Sequence, residues 1–188
     1  HGVLPDHYQF NPRAQGGYLA FLGRISPEKR PDRAIEIAKA AGVPLKIAAK
    51  VDAVDRAYFD TCIRPLLDHP LIDFVGEIGD SQKSAFLGGA RALLFPIDWP
   101  EPFGLVMIEA MACGTPVIAW RCGSVPEVVQ HGGSGLIVDN IEEAVKAVHG
   151  IAELSRARVR RAFDERFTAQ AMAKRYARLY WQLVRDRR

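Results

Sequence analysis

No apolar stretch of this chain approaches the length of a membrane span; the richest, around 105–112, is interrupted by Glu109. The first residues, His1, Gly2, Val3, Leu4 and Pro5, supply neither a basic leader nor an apolar signal core. Cysteine is scarce. Cys62, Cys113 and Cys122 are an odd number and form no C-x-x-C pair, which argues against a disulfide framework or a zinc site and fits a reducing cytoplasm. His7, His69, His131 and His149 stand apart, with no carboxylate or cysteine at a metal-ligand spacing. The formal charge of +3 is too small to imply a nucleic-acid partner. There is no internal repeat, no low-complexity linker and no initiator methionine, the last fitting a piece cut from something longer.

What is present is a chain of 188 residues with 48% hydrophobic and 25% charged side chains, enough to build one ordinary globular core. Short apolar runs at 18–23, 45–49, 72–75, 92–95, 116–119 and 135–138 predict strands. They are near-continuous rather than alternating, as strands covered on both faces are. Helical periodicity fills the gaps at 32–41, 55–67, 81–88, 103–113 and 126–131, with Pro31 and Gly42 marking a start and a stop. Such alternation implies a doubly wound α/β fold, a Rossmann-like parallel sheet of about six strands. Helices alone follow, at 141–151, 155–167 and 168–184. In the last of them Met172, Tyr176, Leu179 and Leu183 form a stripe expected to face the core. Residues 1–17, with Pro5, Pro12, Gly16 and Gly17, are expected to be an extended lead-in, and 18–188 the folded unit. From Arg156 onward basic residues outnumber Asp164, Glu165 and Asp186, which describes a solvated face or a surface for an anionic membrane or an acidic partner.

Two charge clusters fall at strand ends, where open α/β sheets bind ligands. Gly23, Arg24 and Lys29 follow the first strand; a guanidinium fork and a mobile ammonium on one turn suit a diphosphate, although an ordinary surface loop would look similar. Glu101 and Glu109 flank a helix start after the fourth strand. Glu109 has Leu105, Val106, Ala112 and Cys113 as helical neighbours, so a buried, unpaired carboxylate there would cost several kcal/mol. It must meet a donor, either a sugar hydroxyl or a nearby Arg or Lys. A helix entry near Phe103 would leave the amides of Phe103, Gly104 and Leu105 free for a hydroxyl or phosphate.

The run from Pro96 to Leu105, continued by Glu109-Ala110-Met111-Ala112-Cys113-Gly114-Thr115-Pro116-Val117, resembles the glutamate-x7-glutamate signature of family 4 glycosyltransferases. Gly23-Arg24 with Lys29 resembles that family's phosphate loop, and Gly123-Ser124-Val125-Pro126-Glu127 and Gly132-Gly133-Ser134-Gly135 its following segment. The likeness runs from about Gly17 to the C-terminus.

The resemblance implies one half of a GT-B fold: the donor-binding, C-terminal half of a retaining hexosyltransferase whose acceptor-binding domain precedes His1. It implies that Arg24 and Lys29 bind the diphosphate and that Glu101 orients the donor sugar. It places Glu109 on the ribose hydroxyls, Phe103, Gly104 and Leu105 beside the sugar, and Gly76, Glu77 and Ile78 against the base. No metal is expected, since the metal-dependent Asp-x-Asp pair is missing. The substrate would be a nucleoside-diphosphate sugar, and the acceptor a carbohydrate or a lipid-linked one. The 188 residues alone are expected to transfer nothing at a useful rate, with the last helix bracing the absent domain. Ala48-Ala49-Lys50-Val51 replaces a glycine-rich turn common among relatives, and Arg30 follows Lys29 where glycine is frequent. A non-catalytic sugar-nucleotide sensor or scaffold is the alternative, though intact Arg24, Lys29, Glu101 and Glu109 speak against it.

Overall fold

The computed structural model describes residues 1–185. Six parallel strands form one sheet: β1 (Leu19–Arg24), β2 (Leu45–Lys50), β3 (Ile72–Gly76), β4 (Ala92–Phe95), β5 (Val117–Trp120) and β6 (Gly135–Val138). Their order is β3-β2-β1-β4-β5-β6, so the chain winds outward in both directions from the β1–β4 pair. Five strands carry the buried runs read from the sequence. The edge strand β3 is half-covered, with Asp73 and Val75 exposed.

The helices are α1 (Pro31–Ala41), α2 (Arg56–Tyr58), α3 (Asp80–Gly89), α4 (Leu105–Ala112), α5 (Val125–Val128), α6 (Ile141–Gly150), α7 (Arg156–Arg166) and α8 (Ala169–Arg185). They sort onto two faces. Ile35 and Ile37 of α1 pack with Leu45, Ile47 and Val148 on one. Met107 and Ile108 of α4 pack with Leu87, Leu93 and Phe163 on the other. Local chemistry fixes several ends. Pro31 sits in the first turn of α1, where its missing N–H costs nothing, and Asn140 caps α6 by accepting from the Glu143 amide at 2.9 Å.

Four expectations need correction. The helix expected at 55–67 is broken into 3-10, α and π turns between Ala53 and Leu66. That expected at 126–131 is only the four residues Val125–Val128. Helix α4 begins at Leu105 rather than Phe103, because Gly104 adopts φ +76° and leaves the helix. The stripe on α8 does not face the core: no α8 residue is buried, and Tyr176, Leu179 and Leu183 are about half exposed, since α8 runs off the body with no layer over it. Of the basic stretch, Asp186, Arg187 and Arg188 lie outside the described residues. Among those described, no helix is long and apolar enough to cross a membrane.

Candidate functional site

Because α1 and α4 leave β1 and β4 on opposite faces, a crevice opens at the carboxyl ends of these two strands. Lys29 of the first charge cluster and both glutamates of the second lie there. Lys29 ends a 3-10 turn, Pro27–Lys29, and its ammonium donates to the Glu101 carboxylate. Trp99 Nε1 donates to the same Glu101 oxygen at 3.0 Å, and Lys29 Nζ lies 5.5 Å from the Trp99 ring centre. Two backbone contacts hold this arrangement. The Asp98 amide bonds the Glu28 carbonyl at 2.9 Å, and the Ser124 amide bonds the Glu101 carbonyl at 3.0 Å. Gly123 has φ +54°, and a Cβ there would stand 2.5 Å from the Glu101 nitrogen, so only glycine fits beneath this loop.

Glu109 lies about one turn inside α4 and is 8% exposed. Tyr8 Oη donates to Glu109 Oε1 at 2.8 Å, and Lys83 Nζ reaches the same oxygen at 3.4 Å while pairing with Asp80 at 2.9 Å. Burial, the Glu109 charge and its hydrogen bond push the Tyr8 phenol well above its ordinary pKa. Burial works against the Lys83 charge, but Asp80 and Glu109 outweigh it and raise the pKa. The carboxylate of Glu109 thus already has protein donors, including the lysine pairing weighed against sugar hydroxyls.

A cavity of about 440 Å3 lies over the strand ends, lined by Gly23, Lys50, Glu77, Ile78, Lys83 and Glu109 among others. A recess of about 70 Å3 adjoins it and contains Lys29. Gly23 lines both, and a Cβ at Gly23 would meet nothing within 4 Å. The structure therefore brings Gly23, Lys29, Glu77, Ile78, Glu101 and Glu109 to one crevice. Lys50 also lines it, tied to Asp52 at 2.9 Å; that hydrogen bond and charge raise the Lys50 pKa.

Others stand apart. Arg24 turns to acidic neighbours, Glu28 at 2.7 Å and Asp55 at 3.5 Å. Gly76 ends β3 with φ +77° outside the cavity lining. The Phe103 carbonyl accepts from Ser124 Oγ at 2.8 Å and its ring packs against His1 and Phe167. Leu105 is half exposed. The free amides at the start of α4 are consequently those of Leu105 and Val106, since the Met107 amide bonds Gly104 O at 3.0 Å and Phe103 precedes the helix.

Comparison with known proteins decides the family: the profile of the glycosyl transferases group 1 matches residues 6–173. The chain belongs to the group 1 glycosyl transferases. It is 32% identical over 154 residues to N-acetyl-alpha-D-glucosaminyl L-malate synthase of Bacillus anthracis, an alignment covering 75% of this chain and 40% of that protein. It is 37% identical over 124 residues to D-inositol 3-phosphate glycosyltransferase of Mycolicibacterium smegmatis, covering 64% and 29%. The crystal structure of a glycosyltransferase involved in avilamycin A biosynthesis superposes with a TM-score of 0.81 at 27% identity, covering 97% of this chain and 56% of that one. The chain thus spans less than half the length of these curated relatives.

In this group 1 glycosyl transferase chain, sequence reasoning missed Tyr8, Lys83 and Arg30 as parts of the crevice. Tyr8 and Lys83 stand 101 and 26 positions from Glu109, beyond any local spacing. Arg30 left a local trace, standing between Lys29 and the Pro31 helix start. It adopts φ +53° and binds Asp32 at 2.8 Å and Asp98 at 2.8 Å, tying the Lys29 turn to the loop before Glu101.

Proposed function

We propose that this chain is the donor-binding half of a retaining, metal-independent glycosyltransferase that moves a hexose from a nucleoside-diphosphate sugar to a carbohydrate or lipid-linked acceptor. The observation that carries it is the placing of the Lys29–Glu101 pair and of Glu109 at the β1–β4 switch point, around neighbouring cavities that share Gly23.

In this scheme the diphosphate enters beside Lys29. The ammonium, now shared with Glu101, turns to the phosphate oxygens, and Arg24 exchanges Glu28 and Asp55 for the same charge. As the glycosidic bond breaks, negative charge grows on the leaving diphosphate, and fixed cations lower the barrier by stabilising it. Glu101, released from Lys29, accepts from the donor sugar's hydroxyls. Glu109 accepts from the ribose hydroxyls, with Tyr8 and Lys83 holding its carboxylate in place. The base lies along Glu77 and Ile78, with Lys50 within the same cavity. The acceptor and its domain belong to the part of the protein beyond these residues, and the exposed apolar stripe of α8 is the surface that would brace that domain. Alone, these residues bind nucleotide weakly and transfer nothing at a useful rate.

A thermal-shift screen of nucleotide sugars, repeated with Glu109→Ala, tests this assignment. A stabilising sugar nucleotide whose shift is lost in the variant is the expected result. A shift that survives unchanged would remove Glu109 from the site.

A further inference from the structure

At the other end of the sheet, the amino-terminal edges of β1, β4 and β5 open onto a cavity of about 620 Å3. The lead-in segment and the connection between α6 and α7 form its sides. Its size lies within the range of small-ligand sites, about 300–1,000 Å3. Phe10, Ile151 and Leu154 give it an apolar floor, and Arg13, Arg91 and Arg156 line it. No aspartate or glutamate shares that lining. Among the described residues, none of these three arginines forms an ion pair.

Arg156 is held by neutral acceptors: the carbonyls of Asn11 at 2.7 Å, Gly88 at 2.8 Å, Ala90 at 2.9 Å and Cys113 at 3.4 Å, and Thr115 Oγ1 at 2.7 Å. Burial lowers its pKa, the mark of a cation stripped of water without a counter-charge. The first amides of α7, at Arg156 and Ala157, belong to cavity-lining residues and have no partner inside the helix. Arg13 is exposed and Arg91 half-buried, so both forks are free to close on a ligand.

We propose that this cavity is a second ligand site, separate from the donor crevice, for a phosphate-bearing small molecule. Arg156, its guanidinium committed to those neutral acceptors, contributes charge. Two free guanidinium forks and a helix start offer more donors than the two oxygens of a carboxylate can accept, and they suit the three terminal oxygens of a phosphate monoester. The apolar floor gives a carbon skeleton somewhere to lie.

The test is a nuclear magnetic resonance titration of the labelled chain with inorganic phosphate, fructose 6-phosphate and fructose, following the amides of Gly17, Arg91 and Ala157. Phosphate-bearing probes are expected to shift these amides and fructose is not. Tighter binding of fructose 6-phosphate than of phosphate identifies an organic phosphate as the occupant, and equal affinity identifies phosphate itself. The double variant Arg13→Gln/Arg91→Gln, altered at one exposed and one half-buried position away from the crevice, is expected to stay folded and to weaken binding about tenfold or more, as loss of charge-assisted hydrogen bonds does. No amide shift from either phosphate in a folded sample would overturn the proposal. So would unchanged affinity in the double variant.

Discussion

Tyr8 and Glu109, 101 positions apart, are joined by a hydrogen bond of 2.8 Å from the phenol to the carboxylate. The bond anchors the lead-in segment to the helix that carries the signature glutamate. Both groups are buried, so Tyr8→Phe removes a donor to a charged acceptor with little water to replace it. The expected loss is about 1.5–3 kcal/mol, read from urea unfolding. An unchanged midpoint would mean that Lys83 alone satisfies the carboxylate.

Lys83 separates binding from folding. Its pair with exposed Asp80 is screened, and the buried Glu109 carboxylate keeps the Tyr8 hydrogen bond, so Lys83→Met should lower stability by only about 1–2 kcal/mol and leave the chain folded. It removes a cation lining the proposed nucleotide cavity. Affinity for a bound nucleoside diphosphate should fall about tenfold by calorimetry.

Gly123 is where the Glu101 loop rests on the segment after β5. A methyl group there meets the Glu101 backbone at 2.5 Å, and the backbone holds φ +54°. Gly123→Ala should cost about 2 kcal/mol or more, combining left-handed strain with displacement of the loop. Chemical denaturation measures the cost, and a loss below about 0.5 kcal/mol, the usual range of neutral surface changes, would show that the loop yields freely.

Asp32 supplies a pH dependence. Burial favours its neutral form, but Arg30, the Arg33 amide and Tyr58 outweigh burial and hold the carboxyl below its usual value of 3.8. A folded pKa below the unfolded one means that its stabilising contribution is complete above that value and is lost as pH falls through the folded pKa. Stability should therefore fall less steeply below about pH 4 in Asp32→Asn than in the parent chain. Parallel acid-unfolding curves would contradict this.

Much of the architecture was legible because it rests on local rules. Continuous apolar runs such as 92–95, too short for a helix, fit covered strands, and Pro31 and Gly42 bracket α1 as their backbone preferences require. The crevice was legible where the chain itself brings groups together: Lys29 follows β1, Glu101 follows β4, and adjacency of these strands makes them partners. What the sequence hid is long-range or depends on backbone geometry. Nothing near Tyr8 signals Glu109. Gly104 reads equally well inside or ahead of a helix until its φ of +76° is seen. The α8 stripe has true helical periodicity, and periodicity shows that a face is apolar without showing what covers it.

The proposed function requires the β1–β4 crevice to hold a nucleoside diphosphate by its charge. Calorimetric titration of UDP, GDP and ADP into the parent chain and into Lys29→Met tests it most directly. At least one of the three is expected to bind, and removing the Lys29 charge should weaken binding about tenfold or more while the chain stays folded. Absence of binding by all three to a folded sample, or an affinity indifferent to Lys29, would contradict it.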